Sequence, residues 1–174
     1  FILNAGRIDI PNNNFFKKDP LNILKLFNYS LKRDFLIHPN AVRVLRENLS
    51  LVNKDLRQNE TANKIFLEIL LNKKNSEETL RQMNETGVLG RFILDFGKIV
   101  GLMQFNMYHH YTADEHLLRA IGELNRLFSE KNKNITKLIS EIINSGLSKK
   151  ILTIALLFHD IAKGRDEDHS IAGA

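Results

Sequence analysis

The feature that most constrains the fold is the recurrence of apolar residues at helical spacing between residues that begin or end helices. Asp19-Pro20 predicts a helix start, with aspartate as the N-cap and proline at the first helical position. Leucine and phenylalanine then follow one helix face to about residue 35. Similar patterns predict helices from Pro39, at 61–72, from Ser76 to Gly87, at 135–144 and at 148–162. We expect an all-α fold, with at most a short strand at 7–10 and no convincing strand ladder.

Two segments refine this expectation. Gly90, Gly97 and Gly101 predict that residues 87–105 form short helical pieces that approach one another closely, rather than one long helix. Residues 112–115 read Thr-Ala-Asp-Glu, which is a capping box that begins another helix. That helix is expected to turn Leu117, Ile121, Leu124 and Phe128 towards the core.

The composition excludes several classes of site. The chain has no cysteine, which rules out disulfides, cysteine-based zinc sites and thiol nucleophiles and fits a cytoplasmic protein. Its formal net charge is +5, but the basic residues are dispersed among acids, which does not favour a nucleic-acid partner. No run of about 18 apolar residues occurs, so we expect no transmembrane helix.

The most informative segment, 152–164, is an almost wholly apolar helix that ends in His159-Asp160. A helix that is apolar all round is expected to be buried. A buried carboxylate near a helix C-terminus is unfavourable unless a cation compensates it, and a divalent metal shared with His159 would do so. The alternative is that Asp160 pairs with Lys163 and that His159 bonds a backbone carbonyl. On the dipeptide alone, this alternative is favoured.

Further histidines extend the candidate site. His116 lies beside the apolar face that starts at Leu117, at the edge of the core, where it is either a ligand facing a cleft or a satisfied boundary histidine. His109 precedes the capping box, and His169 lies in the charged stretch after the His-Asp helix. His169 is either a second ligand or phosphate contact, or part of a solvated surface.

The order of His116, His159-Asp160 and His169 resembles the HD superfamily of metal-dependent phosphohydrolases. More closely, the chain resembles the middle of the bacterial bifunctional uridylyltransferase/uridylyl-removing enzymes, which modify the P-II nitrogen-signalling protein. The residues that carry this resemblance are 19–27, 43–48, 87–92, 96–104, 111–116 and 158–165.

The resemblance implies a domain organisation. Residues 1–85 would be a helical linker after an absent nucleotidyltransferase domain, and residues 86–174 an HD domain truncated at its C-terminus, so the chain is expected to be a fragment. The ACT domains expected to sense glutamine would also be absent. The family supplies one more aspartate ligand downstream, for which the chain offers no residue. Phe105 stands where the family is expected to have a histidine.

The resemblance also implies chemistry. His116, His159 and Asp160 would bind Mn²⁺ or Mg²⁺, and the site would hydrolyse the tyrosyl–UMP bond on P-II. Lys163 would neutralise phosphate charge, and His169 or His109 would position or protonate the leaving group. Asp160 could also orient the attacking water. Two other hypotheses stay open: another HD-type nucleotide phosphohydrolase, and a non-catalytic helical binding module.

Overall fold

The computed structural model describes residues 1–103, 111–128, 146 and 148–164. Its contacts divide the chain into two compact units, Phe1–Gly97 and Lys98–Ala174. The described residues are mostly helical, which confirms the all-α prediction. The division of the chain into a helical linker region, 1–85, and an HD domain, 86–174, remains a prediction.

The first unit begins with a two-stranded antiparallel sheet, β1 (Ile2–Asn4) and β2 (Arg7–Asp9). The strand predicted at 7–10 is therefore present, but the expectation of no strand pairing was wrong. Ala5 and Gly6 both have positive φ, as a tight hairpin requires. The Ile8 amide donates to the Leu36 carbonyl, which ties β2 to the segment before the third helix.

Helices follow the hairpin, and the last of them runs two residues past Gly97, where this unit ends. They are α1 (Phe15–Lys18), α2 (Leu21–Arg33), α3 (Pro39–Glu47), α4 (Lys54–Gln58), α5 (Glu60–Leu70), α6 (Ser76–Glu85), α7 (Val88–Phe92) and α8 (Leu94–Ile99), with a 3₁₀ turn at Leu49–Leu51. Helix α2 begins one residue later than predicted, at Leu21 with Pro20 as the N-cap residue, and Asp19 Oδ1 accepts the Leu21 amide at 3.0 Å just before it. The core forms where α2 packs on α5 and α6, around buried Leu24, Phe27 and Ile69.

Asp9 is a buried carboxylate that links β2 to α3. Burial alone would raise the pKa of Asp9, but hydrogen bonds from Asn4, the Ile10 amide and Asn40, together with nearby His38, lower the pKa below its usual value. The folded state therefore favours the ionised carboxylate.

The glycine-rich segment after α6 forms short helices, as predicted. Gly87 lies between α6 and α7 and has a φ of 82°, a left-handed conformation that suits glycine. A Cβ on Gly97 would lie 2.5 Å from the carbonyl oxygen of Gly90, which is closer than real Cβ contacts come. The absence of a side chain at Gly97 is what allows α7 and α8 to approach.

The second unit contains α9 (Ala113–Leu127), α10 (Lys149–Phe158) and a 3₁₀ turn (Ile161–Gly164). Thr112 is the N-cap residue of α9, as predicted, but its side chain makes no capping hydrogen bond. The Asp114 carboxylate instead accepts the Gly101 amide at 3.1 Å. Leu117 and Ile121 are buried, whereas Leu124 and Phe128 are half-buried.

The prediction that the apolar helix before His159 is buried all round was wrong. Only Thr153 and Leu157 of α10 are buried, and Ile151 and Phe158 are exposed. Among the described residues, α10 packs chiefly on α9, and contact with one helix covers only one face of another. The helix also ends at Phe158, earlier than the predicted 162.

No helix in the described part of the chain is long and apolar enough to cross a membrane. The helix predicted at 135–144 lies outside the described residues.

Candidate metal centre

His116 comes from the first turn of α9. The apolar face of this helix is fixed by burial of Leu117 and Ile121, so the neighbouring His116 is placed at the edge of that face. Its side chain is half-exposed, and its backbone amide donates to the Thr112 carbonyl as the first turn of the helix requires. The position is the boundary location expected from the sequence.

His159 and Asp160 form the turn between α10 and the 3₁₀ turn. The last carbonyls of a helix lack helical partners, and Nδ1 of His159 lies 2.8 Å from one of them, that of Leu156. Because a carbonyl can only accept, this bond assigns the proton to Nδ1. In the neutral ring, Nε2 then carries the lone pair that a metal uses.

The three side chains predicted as metal ligands lie together. Asp160 Oδ2 is 3.6 Å from His159 Nε2 and 3.9 Å from His116 Nε2. One donor atom from each residue lies within 4.8 Å of the other two. Two ligands at about 2.1 Å from one cation are separated by about 3.0–3.4 Å when they are adjacent in its coordination shell. The Asp160 oxygen would therefore have to approach the two imidazole nitrogens by about 0.2–0.9 Å for all three to bind one cation.

The donor set also fits a divalent cation. Two neutral imidazoles and one carboxylate are ligands for transition metals, and the carboxylate and waters suit Mn²⁺ and Mg²⁺. Mg²⁺ prefers oxygen ligands, so the two nitrogens favour Mn²⁺ of the two predicted ions. Whether the cluster binds either ion remains a prediction.

Lys163 is the cation that compensates Asp160 within the described structure. Its Nζ lies 2.6 Å from Asp160 Oδ2, and both side chains are less than one-fifth exposed. This pair and the His159–Leu156 bond are the two contacts of the non-metal alternative. The pairing of Asp160 with Lys163, which the sequence left open as the alternative to a metal, is therefore present.

The sequence reasoning did not single out Arg119, which lies three residues after His116 on α9. Its Cζ is 4.1 Å from the ring centroid of Tyr111, and its Nε donates to Glu115 at 2.8 Å. The i+3 spacing from His116 was the available signal. The other predicted residues, His109 and His169, and the departure at Phe105, lie outside the described residues.

These observations define a mostly helical chain with a two-histidine, one-aspartate cluster in its second unit. The family model of the uridylyltransferase GlnD third domain matches residues 1–92. The chain belongs to this family. The matched residues lie upstream of the cluster, so the family assignment and the cluster geometry are separate observations.

Proposed function

We propose that this chain is part of a uridylyl-removing enzyme, in which the cluster binds a divalent cation and hydrolyses the tyrosyl–UMP phosphodiester of the uridylylated P-II protein. The observation that carries the proposal is the convergence of His116 with His159 and Asp160. The family match supports the same context, because it relates the chain to a uridylyltransferase.

Each ligand would have a defined role. His116 and His159 would bind the cation through Nε2, and Asp160 would bind it through a carboxylate oxygen. The Leu156 carbonyl holds the ring of His159 in the tautomer and orientation that ligation needs. When bound, the cation supplies Lewis-acid chemistry, which polarises the phosphate and makes water a stronger nucleophile.

The surrounding residues would move protons and neutralise charge. The second oxygen of Asp160 is available to orient the attacking water. Lys163 reaches the same carboxylate and could turn its ammonium towards the phosphate as charge develops there. Water adds to phosphorus, the bond to the tyrosyl oxygen breaks, and the tyrosyl oxygen takes a proton, for which His109 or His169 remains the predicted donor. The products are tyrosine and UMP.

The test is metal binding and UMP release by the intact protein. His159→Ala should weaken Mn²⁺ binding by about 100-fold or more, because even loss of an outer-sphere partner costs about 10- to 100-fold. UMP release from uridylylated P-II should fall with it. Lys150→Ala, at an exposed position on α10, is the control and should change neither. If His159→Ala bound Mn²⁺ and released UMP like the wild type, the proposal would be wrong.

Two other functions give different outcomes in the same assays. A different HD-type phosphohydrolase would bind Mn²⁺ but would act on a guanosine polyphosphate or a nucleoside monophosphate rather than on modified P-II. A non-catalytic binding module is favoured by one observation, the Lys163–Asp160 ion pair, which satisfies the carboxylate without a metal. That module would show no Mn²⁺ binding and no hydrolysis of any of these substrates.

A further inference from the structure

Beside the cluster, Arg119 carries a guanidinium group that two neighbours hold in place. Its Nε donates to Glu115 Oε1 at 2.8 Å, and its Cζ stacks 4.1 Å from the Tyr111 ring centroid. A charge-assisted hydrogen bond and a cation–π contact together restrict a side chain that would otherwise sample many rotamers. The side chain remains about half-exposed, so the group is held without being buried.

Helix geometry places Arg119 one turn after His116 on α9. At 100° per residue, Arg119 lies about 40° from Glu115 around the helix and about 60° from His116 on the other side. Side chains on a helix lean towards its N-terminus, so Arg119 extends back over the turn that carries both residues. Arg119 and His116 thus share one sector of α9, with the guanidinium held on its Glu115 side and His116 reaching Asp160 from the other.

The outer edge of the guanidinium is available for a ligand. Neither Nη atom of Arg119 donates to any residue within the described ranges, although both are strong donors. Arg126, on the same helix, differs because both its Nε and its Nη2 donate to Glu123. The planar fork of an arginine matches the oxygens of a phosphate through its two Nη groups.

We propose that Arg119 is a substrate-binding residue that contacts the phosphate of a nucleotide ester at the His116 side of the cluster. The inference rests on the proposed function for its substrate class, a nucleotidyl phosphodiester. Glu115 and Tyr111 are positioning residues, which hold the guanidinium plane so that its Nη edge faces the phosphate.

The test uses UMP as the probe and the intact protein in the presence of a chelator, so that metal binding cannot contribute. Arg119→Ala should weaken UMP binding about 10-fold or more, as expected for hydrogen bonds to a charged group. Arg119→Lys should fall between Arg119→Ala and the wild type, because it keeps the charge but loses the fork. Arg126→Ala is the matched control and should bind UMP within about twofold of the wild type. Isothermal titration calorimetry measures all four.

A second pair of variants tests the positioning role. Tyr111→Phe keeps the ring and should leave UMP affinity unchanged, whereas Tyr111→Leu removes the cation–π contact and should weaken it about threefold. If Arg119→Ala binds UMP as tightly as Arg126→Ala, the inference is overturned. Mn²⁺ titration separates this failure from failure of the proposed function. Arg119→Ala should bind Mn²⁺ like the wild type. A wild type that binds no Mn²⁺ would contradict the metal site, and the UMP titration would still decide the role of Arg119.

Discussion

The substitution Lys163→Met removes the cation that holds Asp160 and replaces it with an uncharged side chain of similar length. The Lys163 ammonium lies 2.6 Å from Asp160 Oδ2, the oxygen that also lies nearest the two histidines. A metal at the cluster must compete with the ammonium for this oxygen. Removing the lysine should therefore tighten Mn²⁺ binding.

The size of the effect follows from the burial of the pair. An exposed ion pair contributes about 0–1 kcal/mol, and a hydrogen bond to a charged group about 1.5–3 kcal/mol. With Lys163 18% and Asp160 16% exposed, the pair falls between these limits, at about 1–2 kcal/mol. Each 1.4 kcal/mol is a factor of ten, so the dissociation constant for Mn²⁺ should fall about 5- to 30-fold.

Calorimetric titration of Mn²⁺ into the intact protein measures this change, and thermal unfolding with and without Mn²⁺ provides a second readout. The Lys163→Met protein should unfold at a lower temperature without metal, because Asp160 loses its partner, and should gain more on adding Mn²⁺. Lys150→Met on α10 is the control. UMP release should nevertheless slow if Lys163 also neutralises phosphate charge. An unchanged or weaker Mn²⁺ affinity would refute the competition and, with it, the assignment of Asp160 Oδ2 as a ligand atom.

Three further substitutions test the fold. Gly97→Ala should lower the unfolding midpoint by about 3–10 °C, because its Cβ would meet the Gly90 carbonyl, and an unchanged midpoint would contradict that close approach. Asp9→Asn should destabilise the protein at pH 7. The difference in unfolding free energy between wild type and variant should shrink as the pH falls from about 4 through the lowered pKa of Asp9, because the carboxylate stabilises the fold only while it is ionised. Denaturant unfolding at pH 7 and pH 3 measures this, and a constant difference would count against it. Asp114→Ala should cost about 1–3 kcal/mol by removing the hydrogen bond between the Asp114 carboxylate and the Gly101 amide, and unfolding free energies within error of the wild type would rule that out.

Helix starts and ends could be predicted because their signals are local. Asp19 caps the Leu21 amide, and Gly87 adopts the left-handed conformation after α6. The β1–β2 hairpin was missed because its local signal is weak. Its turn places Ala5 at positive φ before Gly6, whereas the usual hairpin signal has asparagine or glycine at that position. Pairing of two three-residue strands also depends on contacts that periodicity does not report.

The candidate site shows a different limit. His116 and His159 belong to separate helices, and no spacing rule predicts that two such residues meet; only the resemblance suggested it. Burial of α10 was overestimated because an apolar composition says how much surface can be buried, not how much of it a neighbour covers. Arg119 was missed because an arginine near a glutamate usually indicates a solvated surface.

The contacts of the non-metal alternative do not exclude a metal, because each one orders a donor atom. The His159 bond to the Leu156 carbonyl places the proton on Nδ1 and leaves Nε2 towards Asp160. The Lys163 ammonium holds Asp160 Oδ2 at the side where both imidazoles lie. Preorganised donors lose less conformational entropy when a ligand arrives, although the lysine must then yield its place. The same two contacts therefore stabilise the turn without a cation and set its geometry for one, and the effect of Lys163→Met on Mn²⁺ affinity measures the balance between these roles.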